Sequence, residues 1–158
     1  MEIIIRKGEK KDLPGVMKLV KELAEYEKAP QEVSNTLEKM EEDGFGKNPV
    51  FEFFVADFKG QIAGIALYYI KYSTWKGKCI YLEDIIVTEK MRGNKIGDKL
   101  FCEVVKVSKE LNVQRMEWQV LNWNSPAINF YKKYDVNFDQ EWTNCKLVHG
   151  QLQGESKS

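Results

Sequence analysis

Apolar residues recur along this chain with two periods, and the order in which the periods alternate predicts its elements. Ile3 to Arg6 reads as a first strand. Downstream, Leu13, Val16, Met17, Val20, Leu23 and Ala24 line one face of a helix, and Pro30 ends that region. A second helix is expected from about Ser34, its N-cap, through Leu37 and Met40 to a stop at Asp43-Gly44. The period then shortens to two. Phe51 to Asp57 and Gln61 to Ile70 read as a hairpin joined by Phe58-Lys59-Gly60, and the turn-like Ser73 to Lys78 leads to a strand at Tyr81 to Val87. Ile96, Leu100, Phe101, Val104, Val105 and Leu111 restore the helical spacing. Gln114 to Leu121 reads as a further strand. Asn124-Ser125-Pro126 opens a short helix carrying Ala127, Phe130 and Tyr131, and Thr143 to Val148 is expected as a last strand closing the sheet. This order is that of an α/β domain with a mixed central sheet flanked by helices. A single domain over residues 1–149 is expected, followed by a disordered polar tail over 150–158.

The connection between the strand ending at Val87 and the helix beginning near Ile96 carries the first chemical signal. Arg92-Gly93-Asn94-Lys95-Ile96-Gly97 sets two glycines and several backbone N–H groups at a helix N-terminus, where unpaired donors and the positive dipole end favour an anion. A phosphate-bearing ligand is the natural reading. The loop lacks the Gly-Lys-Ser/Thr ending of a P-loop and the GxGxxG spacing of a dinucleotide fold. Just upstream, Glu83 and Asp84 are adjacent on the strand, and simple alternation sends them to opposite faces, so that one carboxylate faces the ligand.

Composition narrows the chemistry further. With 158 residues, 43% of them hydrophobic, the chain can bury a sizeable core. Lys plus Arg and Asp plus Glu both number 24, so zero net charge gives no reason to expect nucleic acid or a membrane as partner. No apolar run reaches the roughly 18 residues of a membrane span, and MEIIIRKGEKKD does not resemble a signal peptide, so a cytoplasmic location is expected. Cys79, Cys102 and Cys145 have no CxxC spacing and read as free, packed thiols. His149 is the only histidine and begins the polar ending. Ser-His and Cys-His catalysis would hang on that residue and a histidine-rich zinc site is excluded, so no metal is expected and proton transfer falls to carboxylates, Tyr, Lys or Cys.

Taken together, KELAEYE, DGFG, YYIKYSTWKGK, YLEDIIV, the Arg92 loop and WNSPAINFYKK resemble the GNAT acetyltransferases. Within these they are similar to the diamine N-acetyltransferases, which comprise the spermidine/spermine enzymes and their thialysine-acetylating relatives. The resemblance implies a GNAT fold, acetyl-CoA as co-substrate, a small amine as substrate and a homodimer. It implies that the pyrophosphate is held at Arg92, Gly93, Asn94, Lys95, Ile96, Gly97 and Asp98, and the pantetheine arm by the backbone of Ile85, Ile86 and Val87, on strands splayed by a bulge. Asn124, Ser125, Pro126, Ala127 and Lys133 complete the implied acetyl-CoA contacts. Glu83 is implied to contact the amine and aid its deprotonation through water, and Tyr131 to protonate the departing thiolate, with Tyr134 as the competing tyrosine. An unperturbed Tyr, pKa about 10, is suited to protonating a thiolate whose acid lies near 8.5. Implied substrate contacts are Tyr26, Glu27, Ser73, Trp75, Glu83, Asp84, Trp118, Gln119 and Glu141.

Three departures from the family pattern are informative. Lys95 stands where the first fixed glycine of the loop usually sits, which is harmless if its backbone is helical and a penalty if φ is positive. Ser73-Thr74 replaces the Asp-Pro of polyamine-specific members, as in the thialysine branch, and removes one negative charge that would select a second ammonium. Asp135 stands where glycine is common, in a residue type that tolerates the left-handed region. The expected activity is acetyl transfer to a thialysine or lysine-like amine in preference to a polyamine. A protein or xenobiotic amine, or a non-catalytic acyl-CoA-binding module, are the competing readings.

Overall fold

The computed structural model describes residues 2–154, which fall into two compact units, one ending at Gln119 and one beginning at Val120. The first unit holds a five-stranded sheet in the order β1 (Ile4–Lys7), β2 (Glu52–Phe58), β3 (Gln61–Ser73), β4 (Gly77–Val87), β5 (Met116–Glu117). All neighbours run antiparallel except β4 and β5, so the sheet is mixed as expected. At the β2–β3 turn Lys59 and Gly60 both take positive φ, 51° and 85°, the geometry that matches strand twist in a two-residue hairpin. The Gly60 N–H donates to Asp57 Oδ1 at 2.8 Å, and Asp57 also receives Arg6 from β1.

Two helices, α1 (Leu13–Tyr26) and α2 (Leu37–Phe45), build the main core. Leu13, Val16, Met17 and Leu19 of α1 and Met40 of α2 pack with Phe53, Val55, Ile65, Leu67 and Ile86 of the sheet. The opposite sheet face receives α3 (Ile96–Glu110) through Ile96, Leu100, Phe101 and Val104, all buried. Gly64 makes this docking possible: a Cβ there would lie 2.9 Å from the Ile86 carbonyl oxygen and 3.0 and 3.2 Å from Leu100 and Ile96. Near the edge, Arg6 clamps the buried Asp12 with both terminal nitrogens, at 2.8 and 2.9 Å, while the Glu9 N–H donates to the same carboxylate at 2.8 Å.

Several boundaries differ from the sequence reading. The first helix does end at Tyr26 and Glu27 as the sequence suggests, with Lys28 following in the left-handed region at φ 62° ahead of Pro30. Thr36, not Ser34, caps α2, its hydroxyl accepting from the Lys39 N–H at 3.2 Å. That helix runs past Asp43-Gly44 because Phe45 packs edge-on against Phe53, 6.1 Å between ring centres. The strand expected over Gln114 to Leu121 shrinks to Met116–Glu117, the residues in register with Ile80 and Tyr81 of β4, with Gln114 and Arg115 adding one backbone hydrogen bond each to that strand. Of the thiols, Cys79 is buried but Cys102 and Cys145 are exposed rather than packed.

The second unit contains α4 (Ser125–Lys132) and the short α5 (His149–Leu152). Asn124 caps α4 as expected, its side-chain oxygen accepting from the Ala127 N–H at 3.3 Å. The strand expected over Thr143 to Val148 is absent: no described strand pairs with it, and Leu147 and Val148 are exposed. A β-prone sequence without a ladder partner remains irregular. Residues 155–158 of the expected tail lie outside the described residues.

Candidate active site

Strand β4 does not alternate evenly. Tyr68 pairs with Leu82 and Leu67 with Asp84, which leaves Glu83 as an extra, unpaired residue: a β-bulge. The expectation that Glu83 and Asp84 face opposite ways therefore fails. Asp84, opposite Leu67, lies on the sheet face that carries Leu67 and Tyr69, and the Glu83 carboxylate accepts the Tyr69 hydroxyl at 2.8 Å. The bulge brings two carboxylates to one face, and Glu27, capping the end of α1, adds a third whose charge acts on Asp84.

This crowding has electrostatic consequences. Asp84 is pushed up to about 6 by burial first, then by the charges of Glu83 and Glu27. Burial also raises Glu27. Tyr69 is raised by burial, its hydrogen bond to Glu83 and that residue's charge, so its hydroxyl keeps its proton. The arrangement favours a cation and can take up a proton near neutral pH.

Beyond the bulge, Ile85, Ile86 and Val87 pair with Ala66, Ile65 and Gly64 on one side. On the other, β5 pairs with Ile80 and Tyr81, and among the described residues no strand borders the Leu82–Val87 edge. Strands that separate in this way leave backbone groups for an extended ligand, as the family resemblance implies. The chain continues through Thr88 and Glu89, both held by Glu22 of α1: the Thr88 hydroxyl donates to its Oε2 at 3.0 Å and the Glu89 N–H to its Oε1 at 2.9 Å. Arg92 is fixed as well, donating from Nε to the Val87 carbonyl at 3.2 Å and lying over the Tyr26 ring at 5.6 Å.

The loop to α3 then takes two left-handed steps, Gly93 at φ 83° and Lys95 at φ 59°. Lys95 is thus the unfavourable case. An L-residue in this region carries on the order of 1 kcal/mol of strain, and a cation at a helix N-terminus opposes the helix dipole. The Lys99 N–H donates to the Lys95 carbonyl at 3.1 Å, and the N–H groups of Ile96 and Gly97 lie in the first turn at the helix end. These donors, the Lys95 ammonium and the open space beside Gly93 suit the phosphates of a CoA ester.

The remaining implied contacts are spread more widely. Ser73 and Trp75 do not join the bulge within one chain. Ser73 pairs with Gly77, six residues from Glu83, which is roughly 20 Å along a strand. Its hydroxyl accepts from the Trp75 and Lys76 N–H groups at 3.2 and 3.1 Å, and Trp75 is 88% exposed. Trp118 packs edge-on against Phe101 of α3 at 5.3 Å, with Gln119 following it. In the second unit Tyr131 is buried on α4, Lys133 caps its end over the Phe130 ring at 4.5 Å, and Glu141 is exposed in an irregular segment.

The GNAT acetyltransferase family model matches residues 16–135, a span that includes the bulge, the loop and α4. The chain belongs to the GNAT family. Among its curated relatives, the thialysine N-epsilon-acetyltransferase of Bos taurus is 37% identical over 97% of this chain and 96% of its own length. That of Mus musculus is 38% identical over 90% and 91%. An aminoglycoside N-acetyltransferase solved in complex with CoA superposes with a TM-score of 0.73 at 16% identity, covering 92% of this chain and 95% of its own. The protein is accordingly an acetyl-CoA-dependent N-acetyltransferase, and no helix of its described residues is long and apolar enough to cross a membrane. Sequence reading missed Glu22, Tyr69, Lys71, Arg115 and Glu117, although the period of two places Tyr69 and Lys71 on one face of β3.

Proposed function

We propose that this acetyltransferase modifies the side-chain amine of a short basic amino acid of thialysine or lysine type. The observation that carries the reading is the bulge at Glu83, which turns two carboxylates and the Tyr69 hydroxyl toward one face. Three acidic groups attract an ammonium, yet the attacking nitrogen must be neutral. At pH 7 removing the proton of an amine with pKa about 10.4 costs on the order of 4–5 kcal/mol, so an acceptor within reach lowers the barrier directly. Glu83 takes up that proton through water, and Tyr69 orients the carboxylate by holding one oxygen. The neutral nitrogen attacks the thioester carbonyl of acetyl-CoA, the amide C–N bond forms as the C–S bond breaks, and CoA leaves as a thiolate. Tyr131 delivers the proton the thiolate needs from its Oη, and the α3 N-terminus with Lys95 holds the phosphates.

The names of the full-length relatives support the amino-acid substrate over a polyamine. Because Ser73 and Trp75 lie far along the hairpin from Glu83, they serve as substrate contacts only in a homodimer, where they would reach the other copy's site. The test is acetyl transfer from acetyl-CoA to thialysine, lysine, ornithine and spermidine, followed by CoA release and mass of the product. Thialysine or lysine turnover that is lost in Glu83→Gln supports the reading. Transfer only to spermidine, or Glu83→Gln at full rate, overturns it.

A further inference from the structure

The sheet face that carries the acidic cluster continues along β3 and β5 into a patch of opposite character. Tyr69, Tyr81 and Glu117 stand in one row across β3, β4 and β5, because Tyr69 pairs with Tyr81 and Tyr81 with Glu117. Lys71, two residues beyond Tyr69, and Arg115, two before Glu117, share that face. Both cations converge on one carboxylate. Lys71 Nζ donates to Glu117 Oε1 at 3.1 Å, and Arg115 Nε lies 3.0 Å from Oε2 without the alignment of a hydrogen bond. Two cations around one anion leave one positive charge in excess, beside the Tyr81 ring that Lys71 overlies at 5.3 Å.

Spacing gives this patch a meaning. Asp84 lies opposite Leu67, and the backbone of Lys71 is four residues further along β3, roughly 13 Å in an extended strand, with its ammonium reaching back over the Tyr81 ring. A lysine-type substrate measures six bonds of about 1.5 Å from its side-chain nitrogen to its carboxylate carbon, short enough to lie between the two groups of charges within that span. We infer that Lys71 and Arg115 form the seat for the α-carboxylate of the substrate while its side-chain amine lies at Glu83 and Asp84. This rests on the proposed function and names what selects within it. A polyamine of equal length would bring a second ammonium up to two cations that already share one carboxylate. Glu117 tempers the seat and holds the two cations in place.

The experiment compares thialysine with its carboxamide, which keeps both amines and removes only the carboxylate, on the full-length protein. The native enzyme should prefer the carboxylate roughly 10- to 100-fold in kcat/KM, the scale of one or two charge-assisted contacts. Lys71→Met and Arg115→Met should each reduce that ratio by about 10-fold, mainly through KM, and Lys71→Arg should restore most of it. Circular dichroism and CoA affinity report whether each variant is folded. If both compounds are acetylated and the ratio is unaltered in folded Lys71→Met and Arg115→Met, the seat is wrong while the proposed function stands. If the native enzyme acetylates neither compound, the proposed function fails and the seat with it.

Discussion

Tyr69 and Glu83 are fourteen residues apart in sequence and joined by a 2.8 Å hydrogen bond that exists only because β4 carries an extra residue. Removing the hydroxyl should leave the sheet intact, since the Tyr69 ring still packs on Tyr81 at 5.5 Å. We expect Tyr69→Phe to lower kcat/KM about 10-fold, the scale of one hydrogen bond to a charged group. Glu83→Gln should lose at least 10²-fold in kcat. Equal losses from the two variants would mean that Tyr69 does more than orient the carboxylate.

Asp84 should set the pH dependence of both stability and amine binding. Its folded value near 6 lies above the ordinary 3.8, so the folded chain binds the extra proton between about pH 4 and 6 and loses that advantage as pH rises. Above pH 6 the charged, crowded Asp84 costs on the order of 2–3 kcal/mol. Asp84→Asn should therefore unfold at a higher temperature than the native protein at pH 7.5, with the difference vanishing near pH 4. Affinity for an ammonium substrate should show the reverse trend in the native protein, rising as pH passes 6. Calorimetric titration of thialysine at pH 5 and pH 7 reads this directly.

Asp12 should behave with the opposite sign. Its pKa is lowered, first by the Arg6 hydrogen bonds and then by the Glu9 N–H, against the cost of burial. Its stabilisation is complete above the unfolded carboxylate value near 4 and is lost as pH falls through the lower folded value. We expect Asp12→Ala to cost on the order of 3 kcal/mol at pH 7, because it removes three hydrogen bonds to a buried carboxylate and leaves Arg6 with Asp57 and Glu9 alone. Urea unfolding at pH 7 and pH 3 should show that penalty shrinking in acid.

Tyr131→Phe should reduce turnover by roughly 10²- to 10⁴-fold with little change in acetyl-CoA affinity. Tyr134→Phe is the control, one turn later on the same segment. A transfer of the loss to Tyr134→Phe would reassign the general acid.

Lys95→Gly should relieve the left-handed strain and remove a cation from a helix N-terminus, raising stability of the ligand-free protein by about 1 kcal/mol. The same change should weaken CoA binding several-fold and flatten its dependence on salt. Thermal unfolding with and without CoA separates the two effects. A destabilised Lys95→Gly protein would show that the ammonium supports the loop rather than the ligand.

How much of this was legible in the sequence depended on whether one residue or a pairing decided the outcome. The Lys59-Gly60 turn and the Asn124 cap follow from local chemistry, and both stand where the residues suggested. The glycine-bearing loop leading into a helix N-terminus near Ile96 was legible too, although the positive φ of Lys95 was not. Pairing was another matter. A bulge leaves no mark in composition, so nothing in YLEDIIV says that alternation fails by one residue at Glu83. The cationic pair at Lys71 and Arg115 is separated by 44 residues and meets only through the registers of three strands. Thr143 to Val148 shows the converse error, in which β-prone residues pair with no described strand.

The close approach at Gly64 ties the first turn of α3 to the backbone at the end of β4, and β4 itself carries Glu83 four residues earlier. On the proposed function, the phosphate-holding loop and the proton acceptor would be two marks on one ruler, Glu83 and Val87 lying roughly 13 Å apart along the strand. Discrimination between acyl carriers by length then needs no moving part. A carrier whose reach between phosphate and thioester differs from the native one can still bind at either mark, but it presents its carbonyl out of register with the waiting amine.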